Sequence, residues 1–295
     1  MNIRLRLLDE RAVVALFSSF AIIMALQWRG TAAFDNLVYD QLSSLGRPTA
    51  DDDILLVSID DPSLAELGRW PWPRRTHAEL TEKLETGQPR SILLDILLSE
   101  PGSPDDDAAL AKAMAGPVPV YLPVHFVTPG SNGRAFDTVL PTPQLAANAS
   151  GLGQVNVEFD SDGRVRRVAL CFQPEAGEKK WPHIVEVVAR AGAKPTDTFA
   201  RLGSCSQTLL IPYAKRGSFA EISYSEALKG GVPGDLIKGR DIIVGATAAG
   251  SGDSYPAPFS DGGLLSGAEI MANILAALKR DNFIRPVSDW LVILL

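Results

Sequence analysis

Two cysteines, three histidines and four methionines among 295 residues leave little material for a metal centre or thiol chemistry. Cys171 and Cys205 have no neighbouring histidine and no metal-type spacing, which removes zinc and redox roles. His77, His125 and His183 are far apart and form no His-Glu-x-x-His arrangement, and no Gly-x-Ser-x-Gly elbow exists to expose an activated serine. Clustered basic residues are equally scarce. With a formal charge of −7, a pI near 5.1 and only short pairs such as Arg166-Arg167, the chain lacks the patch that phosphate neutralisation needs, so no nucleic-acid partner is expected. Gly245–Gly250 has the glycine spacing of a phosphate loop, but Ser251-Gly252 stand where Lys-Ser/Thr is required. Asp51-Asp-Asp53 has neither the alternating ligands nor the turning glycine of a calcium loop and reads as a solvated turn. There is no internal repeat, and no cofactor is expected.

Long apolar runs are few, and the exception is informative. Ala12–Trp28 is uncharged and mostly apolar over 17 residues, at the short end of the roughly 17–25 that cross a bilayer as a helix. Arg4, Arg6 and Arg11 precede it, favouring a cytoplasmic tail at 1–11, a transmembrane helix at 12–28 and an extracytoplasmic domain over 31–286. A cleaved signal peptide with Thr31-Ala-Ala33 as its processing site is the competing reading. At the other end Trp290–Leu295 is apolar and begins with an interfacial-type tryptophan. Six residues rising about 1.5 Å each cannot cross a bilayer, so 290–295 reads as the start of a second membrane helix, with an ordinary C-terminal strand as the alternative. Outside the cytoplasm Cys171 and Cys205 could pair, which would add on the order of 3–4 kcal/mol, or remain two buried thiols.

Ile54–Ile59 and Ile92–Leu98 are short apolar runs bounded by turn and acidic residues, the pattern of buried strands. Between them Arg74–Gln88 carries Leu80 and Leu84 at helical spacing, which predicts a strand-helix-strand parallel crossover. Val118–Val124 reads as a third strand, with Pro119 and Pro123 marking an edge or an end. Gly151–Phe159 and Arg164–Phe172 alternate on either side of Asp160-Ser-Asp-Gly163, predicting a hairpin that adds antiparallel strands to the sheet. Helices are expected over 182–192, 224–229 and 264–280, a strand over 209–213 and a last central strand over 240–246. Asp105–Asp107 reads as an acidic helix start. Phe34, Leu37, Val38, Gln41, Leu42 and Leu45 predict an amphipathic stalk ending at Gly46, its stripe packed on its own domain or on a second copy. The fold class expected is α/β: a single mixed-sheet domain with crossover helices and an inserted antiparallel hairpin, flanked by transmembrane helices.

Ser-Ile-Asp-Asp-Pro-Ser-Leu (58–64), Leu-Gly-Arg-Trp-Pro-Trp-Pro-Arg-Arg-Thr-His-Ala-Glu-Leu (67–80) and Leu-Asp-Ile-Leu-Leu-Ser-Glu-Pro (94–101) resemble the CHASE type-2 sensory domain, the extracellular module of bacterial cyclases and histidine kinases. The likeness continues through Gly151–Val157, Asp162–Val168, Ile243–Asp253 and Gly267–Asn273, so it covers roughly 35–285 in order. It implies a non-enzymatic, periplasmic signal-input domain anchored in the inner membrane and working as a homodimer. Its stimulus would be relayed to a cytoplasmic cyclase or kinase absent from these residues.

In a sheet with crossover helices, ligands settle outside the carboxyl ends of the strands. Asp60 and Asp61 follow the first strand, Asp95 lies in the second with Glu100 just after it, and Thr247 and Asp253 follow the last. Asp60, Asp61, Asp95, Thr247 and Asp253 are therefore the candidate ligand-binding residues. Against this, Asp60 or Asp61 could cap a helix at Pro62, and Asp95 could pair with Arg69 or Arg74. A metal-dependent hydrolase using Asp60, Asp95 and Asp253, or a purely structural dimerisation module, are the competing functions. Trp70 and Trp72 could wall a ligand or wedge a helix onto the sheet.

Overall fold

A computed structural model describes residues 10–27, 32–127, 137–174, 177–192, 205, 208–248, 250, 252–259 and 263–284. The chain divides into two compact units, Met1–Gly46 and Arg47–Leu295. The first contains helices α1 (Glu10–Gln27) and α2 (Ala32–Leu45). The apolar stretch of the sequence lies on α1, with Val14, Leu16, Phe17, Phe20 and Ile22 exposed. Among the described residues no helix is long and apolar enough to cross a membrane, so the expected flanking membrane helices are not found, and 290–295 lies outside the described residues.

The second unit runs β1 (Ile54–Ile59), α3 (Asp61–Leu67), α4 (Arg74–Thr86), β2 (Ser91–Leu94), α5 (Pro104–Met114), β3 (Val120–Val127), β4 (Asp137–Val139), α6 (Pro143–Asn148) and β5 (Gly151–Gln154). It continues through β6 (Arg167–Ala169), β7 (Cys171–Phe172), β8 (Trp181–Pro182), α7 (Ile184–Gly192), β9 (Thr208–Leu210) and β10 (Ala220–Ser223). The remainder is α8 (Tyr224–Lys229), α9 (Gly234–Ile237), β11 (Asp241–Ala246), β12 (Ser254–Pro256), β13 (Leu264–Ser266) and α10 (Gly267–Arg280). The main sheet has the order β10-β1-β11-β2-β3-β4, with β5 also paired to β3. All its pairings are parallel except β3 with β4.

Alternate residues of the central strands feed two separate cores. Ile54, Leu56, Leu93 and Ile243 pack with Ile184 and Val188 of α7 and with Ile270, Met271 and Ile274 of α10. Leu55, Val57, Ile92, Leu94, Ile242 and Val244 pack with Leu80 and Leu84 of α4, Leu110 and Met114 of α5, and Tyr224 of α8. Helices cover both faces, which is why these strands read as unbroken apolar runs rather than as alternating ones.

Three expectations are corrected by the sheet. The β1-α4-β2 crossover exists but skips a place, because β11 inserts between β1 and β2. β2 stops at Leu94 although the apolar run continues to Leu98: the Asp95 N–H still donates to the Val244 carbonyl, and Ile96–Leu98 then leave the sheet to line a cavity. The hairpin keeps its tip, with Gly163 at φ +77°, but its body is a single bridge between Glu158 and Arg167. β5 joins the main sheet in parallel, and β6 pairs antiparallel with β9 in a small separate sheet.

Pro119 and Pro123 are compatible with an inner strand for a geometric reason. The Pro119 carbonyl accepts from Ile92 of β2, whereas the Val120 and Val124 carbonyls face β5. Pro123 shares the parity of Pro119, so its missing N–H points to the β2 side, beyond the last paired residue of β2. Cys171 and Cys205 form a disulfide, 34 residues apart, which decides between the two alternatives left open above.

One glycine fixes how α7 docks on the sheet. A Cβ on Gly153 would stand 2.6 Å from Ile184 Cα and 2.9 Å from the Pro182 carbonyl, backbone atoms that cannot swing away. Gly153→Ala is therefore expected to destabilise by about 2–3 kcal/mol through overpacking, read as a lower denaturant midpoint at unchanged slope. An unchanged midpoint would mean that α7 can lift off β5 at no cost.

Candidate functional site

Because β1, β11 and β2 are parallel neighbours, their carboxyl ends share one rim, as a ligand site of this fold class requires. Beside that rim lies a cavity of about 980 Å³, at the upper end of the usual range for small-molecule sites. Its wall mixes apolar side chains, among them Ile96, Leu98, Phe126, Val157, Met271 and Ile274, with polar ones that include Asp95, Asp253, Tyr255, His125, His183, Arg74, Arg167, Glu100 and Asn156.

Of the five candidates from sequence, the fold brings Asp95 and Asp253 together in this cavity and leaves the others outside it. Asp60 caps α3: its Oδ1 accepts from the Ser63 N–H at 2.9 Å, the Ser63 hydroxyl at 2.5 Å and the Ser223 hydroxyl at 3.0 Å. Asp61 is exposed in the first turn of α3. The Thr247 N–H closes the end of the sheet on the Ile59 carbonyl. Asp60 therefore cannot complete an Asp60-Asp95-Asp253 metal site, and among the described residues no group of three His, Cys, Asp or Glu could hold a metal ion.

Asp95 does not pair with Arg74 as anticipated. Arg74 turns to Asp107 at 2.5 Å and to the Glu100 carbonyl, tying the start of α4 to α5, so the acidic start of α5 supplies a counter-ion as well as a favourable first turn. The helix cap itself is Ser103, whose hydroxyl accepts from Asp106 N–H. The Asp95 carboxyl has no hydrogen-bond or ion-pair partner among the described residues. Burial, followed by the neighbouring Asp253 charge, raises its pKa well above the ordinary carboxylate value. Asp253 is likewise raised, chiefly by burial, while hydrogen bonds from the Tyr255 hydroxyl and the Gly267 N–H oppose the rise. Gly267 lets the Asp253 carboxyl lie against the start of α10, since a Cβ there would sit 2.6 Å from both of its oxygens.

Residues without a sequence signal complete the cavity. His183 is 3% exposed, and its Nδ1 is buried with no hydrogen-bond partner among the described residues. Burial holds its pKa down to about 4, so it is neutral at physiological pH. Nothing in the Pro-His-Ile-Val stretch marks it, because only the α7–β5 docking carries it to the cavity. The tryptophans show the packing role, and both also line the cavity. Trp72 is wedged between sheet and helices, donating to the Gly68 carbonyl at 2.9 Å and packing on Tyr224, while half-buried Trp70 meets it edge-on at 5.1 Å on the cavity wall.

At the opposite end of the sheet the Asp51–Asp53 turn is solvent-exposed at Asp52 and Asp53, as expected, and is ion-paired as well. Asp53 pairs with Arg90 at 3.2 Å and Lys279 at 3.3 Å, Lys279 also reaches Asp241 at 3.3 Å, and Arg280 donates to the Thr49 carbonyl at 2.6 Å. Helix α10 thus lines the cavity through Gly267, Ile270, Met271 and Ile274 at its start, and clasps residues 49–53 with its last turn.

The family model described as the CHASE2 domain matches residues 17–295. No curated protein and no solved structure gives a match.

Proposed function

Since the chain belongs to the CHASE2 domain family, whose members are extracellular sensory domains, we propose that it is the periplasmic signal-input half of a bacterial inner-membrane receptor. The apolar segment 12–28 would attach it to the bilayer, and an output domain, a cyclase or a kinase, would lie beyond these residues. In this reading the chain binds a stimulus and catalyses nothing.

The observation that carries the reading is α10, 14 residues and so about 21 Å long, which joins the cavity at one end to residues 49–53 at the other. Those residues follow α2 directly in the chain, and α10 itself leads towards the apolar C-terminal segment. A ligand that favours one position of α10 over another would shift both connections together, and differential affinity for two arrangements is all that such switching needs. A second copy is the natural partner for the exposed Leu37, Val38, Leu42 and Leu45 stripe of α2.

Topology tests the reading directly. Alkaline phosphatase fused after Ile284 is expected to be active in whole bacteria and a green fluorescent protein fused there to be dark. The reverse pattern would put the cavity in the cytoplasm and end the receptor account.

A further inference from the structure

The cavity end formed by Asp95 and Asp253 has the chemistry of an unfinished ion pair. Asp95 has no counter-charge among the described residues, and the two guanidiniums on the wall are committed elsewhere, Arg74 to Asp107 at 2.5 Å and Arg167 to Asp160 at 3.3 Å. Among the described residues no lysine lines the cavity. Independently, His183 presents a nearly fully buried imidazole to the same space, its Nδ1 lacking a partner among the described residues. A buried imidazole left without a partner is costly, and proteins keep one chiefly where something else supplies the partner, while the half-buried Asp95 carboxyl opens onto the same cavity. The wall also carries apolar and aromatic side chains, with Phe126, Val157, Met271 and Ile274, and the volume of about 980 Å³ leaves room for more than a bare ion.

We infer that this cavity recognises a small organic cation, a protonated amine on an apolar or aromatic body, with Asp95 and Asp253 as counter-charge and Tyr255 and His183 as orienting groups. The ammonium would stand between the two carboxylates, which a single positive charge can hold ionised together. Its body would lie along Met271 and Ile274, so occupancy would bear on α10. This deepens the sensory reading above and rests on it for its biological meaning, although binding can be measured without it.

The test is isothermal titration calorimetry on the full chain in lipid nanodiscs with a matched series. Tryptamine and phenethylamine are compared with tryptophol and phenethyl alcohol, which replace the ammonium by hydroxyl, and with indole-3-propionate, which reverses the charge. At least one amine is expected to bind more than tenfold tighter than its alcohol and to raise the melting temperature, with no binding of the acid. Asp95→Asn, which removes a carboxyl that has no partner to lose and so should still fold, is expected to weaken the amine at least tenfold while leaving the alcohol unaffected. Asp253→Asn should act in the same direction. Amine binding indifferent to both variants, or no amine binding at all, overturns the inference. In the second case a neutral metabolite that raises the melting temperature would leave the sensory reading standing, whereas a cytoplasmic reporter result would remove that reading and leave measured amine binding intact.

Discussion

On acidification from pH 7.5 to 4.5 the wild type is expected to lose about 2.5 kcal/mol more stability than a His183→Gln variant, and about twice that relative to a variant with both His77→Gln and His183→Gln. Burial drives the effect. His183 and His77 are 3% and 1% exposed, and the pKa of each is held at about 4, in His77 by burial first and then by the Arg74 charge. In the unfolded chain each titrates near the ordinary 6.5. Between those values the unfolded state binds a proton that the native state refuses, so the stability is fully present above pH 6.5 and is lost as the pH falls towards 4.

Asp95, Asp253, Glu158 and Glu269 act in the opposite sense, because burial raises their pKa values and the native state takes up protons first. The histidines must therefore be isolated by comparing variants rather than from the wild-type curve alone. Urea titrations at pH 7.5, 6.5, 5.5 and 4.5 supply the comparison. Parallel curves for wild type and His183→Gln would show that the imidazole can be charged in place.

The second large effect concerns Arg166, which at 1% exposed is among the most completely buried side chains of the protein. The Asp160-Ser-Asp-Gly163 turn closes over it: Nη1 donates to Asp160 at 2.9 Å and to Asp162 at 2.8 Å, and Nη2 to Asp162 at 2.7 Å. The guanidinium in turn holds the Asp162 carboxyl down to about 2. Removing one side of a buried ion pair costs far more than replacing the whole of it. Because Asp162 is 42% exposed and partly screened by water, the double variant Asp160→Asn, Asp162→Asn should lose about 2–3 kcal/mol, while adding Arg166→Met to it should restore most of the loss. Equal and additive losses in all combinations would mean that the turn contributes through its backbone and that the buried charge is incidental.

Both effects bear on what could be read in advance. The aspartate-glycine turn was legible because Gly163 needs a positive φ, and the strands and helices of the central layer because their apolar spacing is a local property. The Asp60 cap was legible too, since an N-cap accepts from an N–H three residues on. Strand order was not: the insertion of β11 between β1 and β2 joins residues about 190 and about 150 apart in sequence, and no local pattern encodes it. The same holds for the acidic turn at Asp51–Asp53, whose partners Arg90 and Lys279 come from distant elements.

The sequence by itself determined the class of fold, the position of most elements, the family and the choice of Asp95 and Asp253 as residues standing where strands end. Those depend on periodicity, turn chemistry and short strings, all of which survive in one dimension. Only the tertiary structure decided that Asp95 and Asp253 face one cavity, that Asp60 and Thr247 do not, that Arg74 answers Asp107 instead, and that His183 arrives without a partner. Whether a buried polar group is paired depends on which elements pack against it, and that packing is a property of the folded chain as a whole.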